Sequence, residues 1–549
     1  MASVSAHLAH ALAARVTDAF GVMGNGNAYL LDALDRTPVQ FTPLRHEAGA
    51  VVAADAYFRA GGGLAVATTT YGAGFTNAIT ALAEAAQART PLLLVVGDAP
   101  TTGTRPWDVD QRAIAAAVGA PVITVTRANP ASLALDAVDL ALGERRPVIL
   151  AIPYDLAHAE AGELQELRAP ASPFVVQADA TARTALGGIA VRLAASERPV
   201  LLAGRGAWLS GAGRALGALA DATGAVTASS TLGRGIFPDE RYDLGVTGGF
   251  GQHNAMELIK SSDFAVVLGA SLNQFTMRFG ALFGPDATVV QLDVSEDATN
   301  SRVDQFVRID ARAGAELLAE ALQHLAAVPS GWRERVDFAP LRTLDVGDGI
   351  ADDGRLDPRS VATRIGQLLP ENRVVVSDGG HFLGWSNMHW SVAEPDRVVM
   401  VGTAYQSIGL GFPSVVGAAL ARPDSTVVLT TGDGGGLMAL ADLESAIRVA
   451  GGRGMAVVWN DAAYGAELNL YGLKGLAEGP MRIPQVDFAR LAEALGAEGV
   501  AVNDLGALDR LAEWALEPAS FRRFLVLDCR ISPDVIAPYQ REIIAINRD

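Results

Sequence analysis

An α/β protein made of three consecutive doubly wound parallel-sheet domains is predicted by three features of this 549-residue chain. Its length exceeds what one hydrophobic core can serve, so about three domains are expected. Half of its residues are apolar, enough for each domain to bury a core. Short continuous apolar runs alternate with Ala-rich helical stretches, the pattern of parallel strands covered by helices on both faces.

Taken in order, residues 1–165 form the first domain, with strands at 39–41, 65–68, 92–96 and 148–152, and residues 4–20 as an amphipathic helix. Residues 166–174, with Pro170 and Pro173, read as a linker. The second domain, 175–328, repeats the alternation with strands at 199–203, 264–268 and 288–292. Residues 329–356, with Gly347, Gly349, Gly354 and several acids, read as a second linker. The third domain, 357–535, has strands at 374–376, 426–429 and 455–459, and residues 536–549 form a tail. The first and third domains are read as sharing a topology.

The bulk numbers exclude several function classes. A net charge of −18 argues against nucleic acid and anionic membrane as partners. The single cysteine, Cys529, rules out an internal disulfide and reads as a strand core residue. No apolar run approaches the roughly 18 residues of a membrane span. No basic-then-apolar leader is seen, so a soluble cytoplasmic protein is expected. No Cys/His cluster suits zinc, and no Gly-x-Ser-x-Gly elbow accompanies a triad.

Chemistry concentrates at a few strand ends. The run 426–429 ends in Thr431-Gly432-Asp433-Gly434-Gly435-Gly436, where three glycines let the backbone turn tightly before a helix over 437–450. The run 455–459 delivers Asn460 and Asp461, followed by Ala463, Tyr464 and Gly465. Two hard oxygen ligands on neighbouring strand ends, beside a helix N-terminus, suit a divalent cation and a diphosphate together. Further along the same logic lie Arg45-His46-Glu47 opening a helix, the Gly-rich turn Thr69 to Asn77, the loop Ser377 to His381, and the segment Gly402 to Pro413.

Together these motifs resemble the thiamine-diphosphate-dependent enzymes of the acetohydroxyacid synthase, pyruvate decarboxylase and benzoylformate decarboxylase group, over nearly the whole chain. The resemblance implies pyrimidine-binding, middle and diphosphate-binding domains, with thiamine diphosphate and Mg2+ as cofactors. It implies that Gly432, Gly434, Gly435, Tyr464 and Gly465 surround the diphosphate, and that Asp433 ligates Mg2+. The second ligand has two readings. A count of 27 residues from Asp433 gives Asn460, whereas the Tyr-Gly that follows by three and four residues gives Asp461. Asp461 is preferred, with the Ala463 carbonyl as third ligand. Gly379, Gly380 and His381 are expected at the diphosphate, and Thr70 and Asn77 near the pyrimidine. Ile408 is expected as the wedge between the two rings, with the Gln406 carbonyl accepting the aminopyrimidine N–H. Glu47 is expected to share a proton with a ring nitrogen from an apolar, partly dry site.

The substrate pocket departs from the pyruvate decarboxylase pattern. Asn25 stands where those enzymes carry a catalytic Asp, and no histidine pair occurs around Trp107 to Arg112. Gln111 fits carboligation better, while Glu467 aligns with a catalytic Glu of pyruvate decarboxylases. Asn25, Asn27, Gln111 and Glu467 are therefore the pocket candidates. The expected reaction is decarboxylation of a 2-oxo acid, led by pyruvate, with transfer of the acyl-anion equivalent to an acceptor carbonyl. The alternatives are a non-ligating decarboxylase of a larger 2-oxo acid and a catalytically inert cofactor-binding protein. Residues 244–251 resemble a flavin-contacting loop, but Gly269 to Gln274 lacks the charged residues of the synthases, so no FAD is expected. The family's cleft between subunits implies a homodimer or homotetramer.

Overall fold

The computed structural model describes residues 1–164, 166–171 and 175–547. The expected boundary residue 165, the linker end 172–174 and tail residues 548–549 lie outside the described residues. Three sheets of six strands follow one another, and all pairings are parallel. The first contains β1 (Asp18–Gly21), β2 (Gln40–Pro43), β3 (Val66–Thr69), β4 (Leu92–Asp98), β5 (Val122–Thr124) and β6 (Pro147–Pro153), in the order β2-β1-β3-β4-β6-β5. The middle sheet contains β7 (Pro199–Ala203), β8 (Val226–Ser229), β9 (Asp243–Val246), β10 (Phe264–Leu268), β11 (Thr288–Asp293) and β12 (Gln305–Arg308), in the order β12-β11-β10-β7-β8-β9. The third contains β13 (Arg373–Ser377), β14 (Val398–Met400), β15 (Thr426–Gly432), β16 (Gly454–Asn460), β17 (Glu498–Val502) and β18 (Leu525–Arg530), in the order β14-β13-β15-β16-β18-β17. The first and third sheets thus share one topology.

The central strands are almost wholly buried apolar runs, as sheets covered on both faces require. Cys529 lies fully buried in β18, where burial pushes its thiol pKa up. No helix among the described residues is long and apolar enough to cross a membrane.

Two sequence expectations are corrected. The N-terminal helix covers only Val4–Ala13, because Asp18–Gly21 forms β1 inside the sheet and Phe20 packs in its core. The expected helix over 437–450 is two helices, Asp433–Met438 and Leu440–Ala450, broken at Ala439. Gly434, Gly435 and Gly436 are therefore helical, not a tight turn. Their missing side chains serve close approach: a Cβ on Gly434 would lie 2.7 Å from the Tyr464 ring, and one on Gly435 would lie 2.7 Å from Asp378 Oδ2.

The order of the first and third sheets places a topological switch between β1 and β3, and again between β13 and β15. Loops leaving the carboxyl ends of such strand pairs diverge and open a crevice. At the corresponding switch point of the middle sheet the two loops meet through backbone: Gly206 N–H donates to the Gly269 carbonyl at 2.8 Å, and a Cβ on Gly204 would lie 2.5 Å from that oxygen.

The first and third domains pack through helices Glu47–Arg59 and Gly411–Ala421. The contact is backbone-close, since a Cβ on Gly417 would sit 2.0 Å from the Ala53 carbonyl oxygen. Arg45 N–H donates to Asp442 Oδ1 at 2.9 Å, and its guanidinium pairs with Glu444 at 2.7 Å. Gly417→Ala is expected to lower the melting temperature by several degrees, given overpacking costs of about 1–3 kcal/mol and roughly 2–4 °C per kcal/mol for domains of this size; differential scanning fluorimetry checks it.

Candidate active site

The third-domain crevice collects the acids. β15 and β16 pair in register through Gly432 and Trp459, so Asp433 and Asp461 emerge side by side at adjacent strand ends. Both carboxylates are buried. Burial first, then the neighbouring charge of Asp461, raises the Asp433 pKa to about 7, against the pull of N–H groups from Gly434 and Ala462. Asp461 Oδ1 accepts from Ala463 N–H at 3.1 Å. Its Oδ2 receives no aligned hydrogen bond, although His381 Nε2 lies 2.9 Å away. Burial lowers the His381 pKa, but Asp461, then Asp433 and Glu467, more than offset it and hold it above the ordinary histidine value.

Asn460, the alternate ligand, is turned away. As the last residue of β16 it faces the opposite side of the sheet from Asp461. Its amide donates to Asp528 Oδ1 at 2.7 Å and to the Val486 carbonyl at 2.9 Å. Ala462, between Asp461 and Ala463, has φ +60°, a left-handed conformation costly for a side-chain-bearing residue.

Glycines let the site close up. A Cβ on Gly465 would lie 2.2 Å from the His381 ring, so that ring can occupy its place only over glycine. Tyr539 O–H donates to the His381 carbonyl and pins the loop from the C-terminal side. Tyr464 packs its ring on Gly434. Glu467 is exposed, in a cleft of about 300 Å³ shared with Tyr464, Tyr471, Leu476, Pro480 and Met481.

A residue without an expected role organises these loops. Asp378 is fully buried, and its Oδ1 accepts N–H groups from Gly379 at 2.8 Å, Gly409 at 3.0 Å and Leu410 at 3.1 Å. Its Oδ2 accepts Thr431 O–H at 3.0 Å. One carboxylate thus ties the loop of Gly379, Gly380 and His381 to the segment of Gln406 and Ile408 and to β15. Gln406 has φ +57°, and Ile408 is half-buried against Gly379. The only sequence signal for Asp378 is an acid at the end of a buried strand, which many proteins carry.

The first-domain crevice holds a second cluster. Glu47 opens its helix half-buried, and Oε2 accepts the Asn77 amide at 3.0 Å. Thr70 Oγ1 accepts Gly26 N–H at 2.9 Å and fills the space that Gly24, Gly26 and Gly74 leave open. Two pocket candidates are tied to neighbouring backbone. Gln111 is buried, its oxygen taken by Gly72 N–H at 2.8 Å and its amide by the Gly97 carbonyl at 3.0 Å, so it braces the Gly-rich turn. Asn27 is likewise buried, bridging Gly24 N–H, the Val22 carbonyl and Thr68 Oγ1. Asn25 is exposed, its amide donating to the Tyr71 hydroxyl at 3.0 Å. Arg105 stacks on Tyr71 and holds it in place. Among the described residues no hydrogen bond or ion pair joins this cluster to the third-domain one.

Comparison with known proteins assigns the arrangement. Thiamine pyrophosphate enzyme domains match in order: the N-terminal TPP binding domain over residues 2–134, the central domain over 186–322 and the C-terminal TPP binding domain over 378–529. The chain belongs to the thiamine pyrophosphate enzyme family. Among similar family members, an acetolactate synthase of Mycobacterium avium is 28% identical over 88% of this chain and 80% of its own. A sulfoacetaldehyde acetyltransferase of Castellaniella defragrans is 26% identical over 96% of this chain and 93% of its own. The crystal structure of benzoylformate decarboxylase from Polynucleobacter necessarius has the same fold, with a TM-score of 0.80 at 21% identity, covering 97% of this chain and 99% of its own.

As a family member the chain binds thiamine diphosphate, and the residues fit its charged end. Two buried carboxylates, one with an oxygen lacking an aligned donor, form a donor set for a hard cation shared with phosphate oxygens. No three His, Cys, Asp or Glu side chains among the described residues converge as an all-side-chain metal site; a Mg2+ ion that keeps waters and substrate phosphates does not need one. Asp378→Ala is expected to orphan three N–H groups and a hydroxyl at a cost of several kcal/mol, read as a fall of roughly 5 °C or more in melting temperature.

Proposed function

We propose that this enzyme uses thiamine diphosphate and Mg2+ to decarboxylate a 2-oxo acid, with pyruvate first, and transfers the acyl unit to an acceptor carbonyl, in the manner of acetolactate synthase. When bound, the cofactor supplies the electron sink for loss of carbon dioxide. In this reading Asp433, Asp461 and the Ala463 carbonyl hold Mg2+. The backbone of Gly379, Gly380, Gly432, Gly434 and Gly435, with His381, Tyr464 and Gly465, lies along the diphosphate. Ile408 separates the two rings and the Gln406 carbonyl receives the exocyclic amine. Glu47, oriented by Asn77, holds the proton exchanged with the pyrimidine nitrogen, and Thr70 lines that end.

The observation that carries acyl transfer over simple aldehyde release is Asn25. It is the exposed polar side chain of the first-domain loop, and an amide cannot deliver the proton that releases an aldehyde. The M. avium and C. defragrans relatives, named a synthase and an acetyltransferase, agree with transfer. A second reading has its own observation. Glu467 stands exposed in an otherwise apolar cleft of about 300 Å³, which suits proton delivery to a larger substrate and favours a non-ligating decarboxylase.

The two unjoined clusters support a site assembled from two copies, as a homodimer or homotetramer. Large exposed apolar side chains sit on both: Met23, Tyr29 and Trp107 on one, Tyr405, Met438 and Tyr471 on the other. No FAD is part of this reading, and the backbone approach between Gly206 and Gly269 at the middle-sheet switch point favours that.

Product analysis after feeding pyruvate tests the assignment: an acyloin or acetohydroxy acid is expected, and free acetaldehyde alone overturns it. Glu47→Gln is expected to slow hydrogen–deuterium exchange at the thiazolium carbon by roughly 100-fold or more, the scale of a lost positioned acid; wild-type exchange as slow as in free solution points instead to an inert cofactor-binding protein. The Mg2+ dependence carries a pH signature. The Asp433 carboxyl, raised to about 7, keeps its proton in the folded metal-free protein at pH values where the unfolded chain has released it. Its contribution to metal-free stability therefore falls as pH rises through 7, and below that value Mg2+ must displace the proton. The rise in melting temperature on adding Mg2+ and thiamine diphosphate is expected to be larger at pH 8 than at pH 6.

A further inference from the structure

We infer that Glu84, held by Arg59 and Asp55 in the first domain, is a positioning residue for the third-domain segment that carries Gln406 and Ile408. This rests on the thiamine-diphosphate reading above.

Asp55, Arg59 and Glu84 are essentially inaccessible to solvent. Arg59 donates to Asp55 through Nε at 2.6 Å and Nη2 at 2.8 Å, to Glu84 Oε1 through Nη2 at 3.0 Å, and to the Met400 carbonyl through Nη1. Burial lowers the Arg59 pKa, but Asp55 and Glu84 outweigh that and keep the guanidinium charged. Arg205, from the carboxyl end of β7, lies close enough to feel both acids and adds a second positive charge. A buried ion pair needs only Arg59 and Asp55, which already meet through two hydrogen bonds. Adding a third buried charge carries a further desolvation cost unless it meets another partner. That partner lies in another domain: Glu84 Oε2 accepts the backbone N–H of Tyr405 at 2.7 Å.

Tyr405 immediately precedes Gln406, whose φ of +57° is sparsely populated for a residue with a side chain. Such a residue relaxes unless both flanks are fixed. On the far flank Asp378 holds Gly409 and Leu410. On the near flank Glu84 holds Tyr405 and Arg59 grips Met400 at the end of β14, while Ser407 N–H closes the loop on the Gly402 carbonyl at 2.8 Å. The residues that would set the ring geometry are stretched between two buried carboxylates. Helix Ile79–Gln87, which carries Glu84, begins two residues after Asn77, the donor to Glu47. One stretch of the first domain therefore orients both the acid and, across the domain boundary, the strained loop.

The test compares Glu84→Met, which keeps the volume but removes the acceptor, with Glu84→Gln, which keeps an acceptor oxygen. Each is loaded with saturating thiamine diphosphate and Mg2+, with melting temperature, cofactor Kd by calorimetry and deuterium exchange at the thiazolium carbon as readouts. Glu84→Met is expected to slow exchange roughly 10- to 100-fold, the scale of an ångström-sized misplacement, with Kd within about threefold of wild type. Glu84→Gln, whose single acceptor oxygen serves the Tyr405 N–H only by turning its amide N–H2 toward Arg59, is expected to slow exchange less than Glu84→Met. If Glu84→Met does not fold, the combined variant Asp55→Leu/Arg59→Met/Glu84→Met/Arg205→Met removes both acids and both cations together, and its exchange is expected to be slow as well. A folded Glu84→Met or combined variant with wild-type exchange overturns the inference, as does a Glu84→Gln variant as slow as Glu84→Met. Slow exchange in the wild type overturns the cofactor reading itself.

Discussion

The site depends on one electrostatic constraint: Asp433 and Asp461 leave adjacent strand ends, both buried, with too few donors to satisfy two negative charges. Burial and mutual repulsion push a proton onto Asp433 near neutral pH, and Asp461 holds the His381 pKa above the ordinary histidine value. Such a pair is stable in water-free surroundings only when a proton or a cation balances it. The glycines around it follow from the same constraint, because His381 reaches Asp461, and the Tyr464 ring packs beside the helix of Asp433, only where Gly465 and Gly434 carry no side chain.

The sheet topology explains why these groups meet. In both outer domains the chain reverses direction of travel across the sheet between its first and third strands, and the loops there spread apart. One crevice holds acids and N–H groups suited to a metal and a diphosphate. The other holds Glu47 and a polar turn braced by Gln111 and Asn27. The middle domain has its own switch point, where Gly204, Gly206 and Gly269 bring the backbones together.

Much of this was legible in the chain. Continuous apolar runs located most strands because both faces of each sheet are covered. The Gly-Asp-Gly spacing located the acids because nothing larger than glycine fits beside them. The misreadings have physical reasons too. Residues 18–21 are as apolar as the helix before them, and only pairing with β2 and β3 distinguishes a strand. Gln111 and Asn27 have side chains that suit a substrate as well as a neighbouring turn, and only their partners decide between the two.

What the sequence alone determined is therefore the set of three parallel-sheet domains, since the period of its apolar runs is a property of the linear chain, and, through its resemblance to known enzymes, the cofactor family. What only the tertiary structure decided is direction. The pleat of β16 turns Asp461 toward Asp433 and Asn460 away. Asp378 and Glu84, unremarkable acids in the sequence, become anchors because folding brings backbone N–H groups from distant segments within hydrogen-bond reach of buried carboxylates.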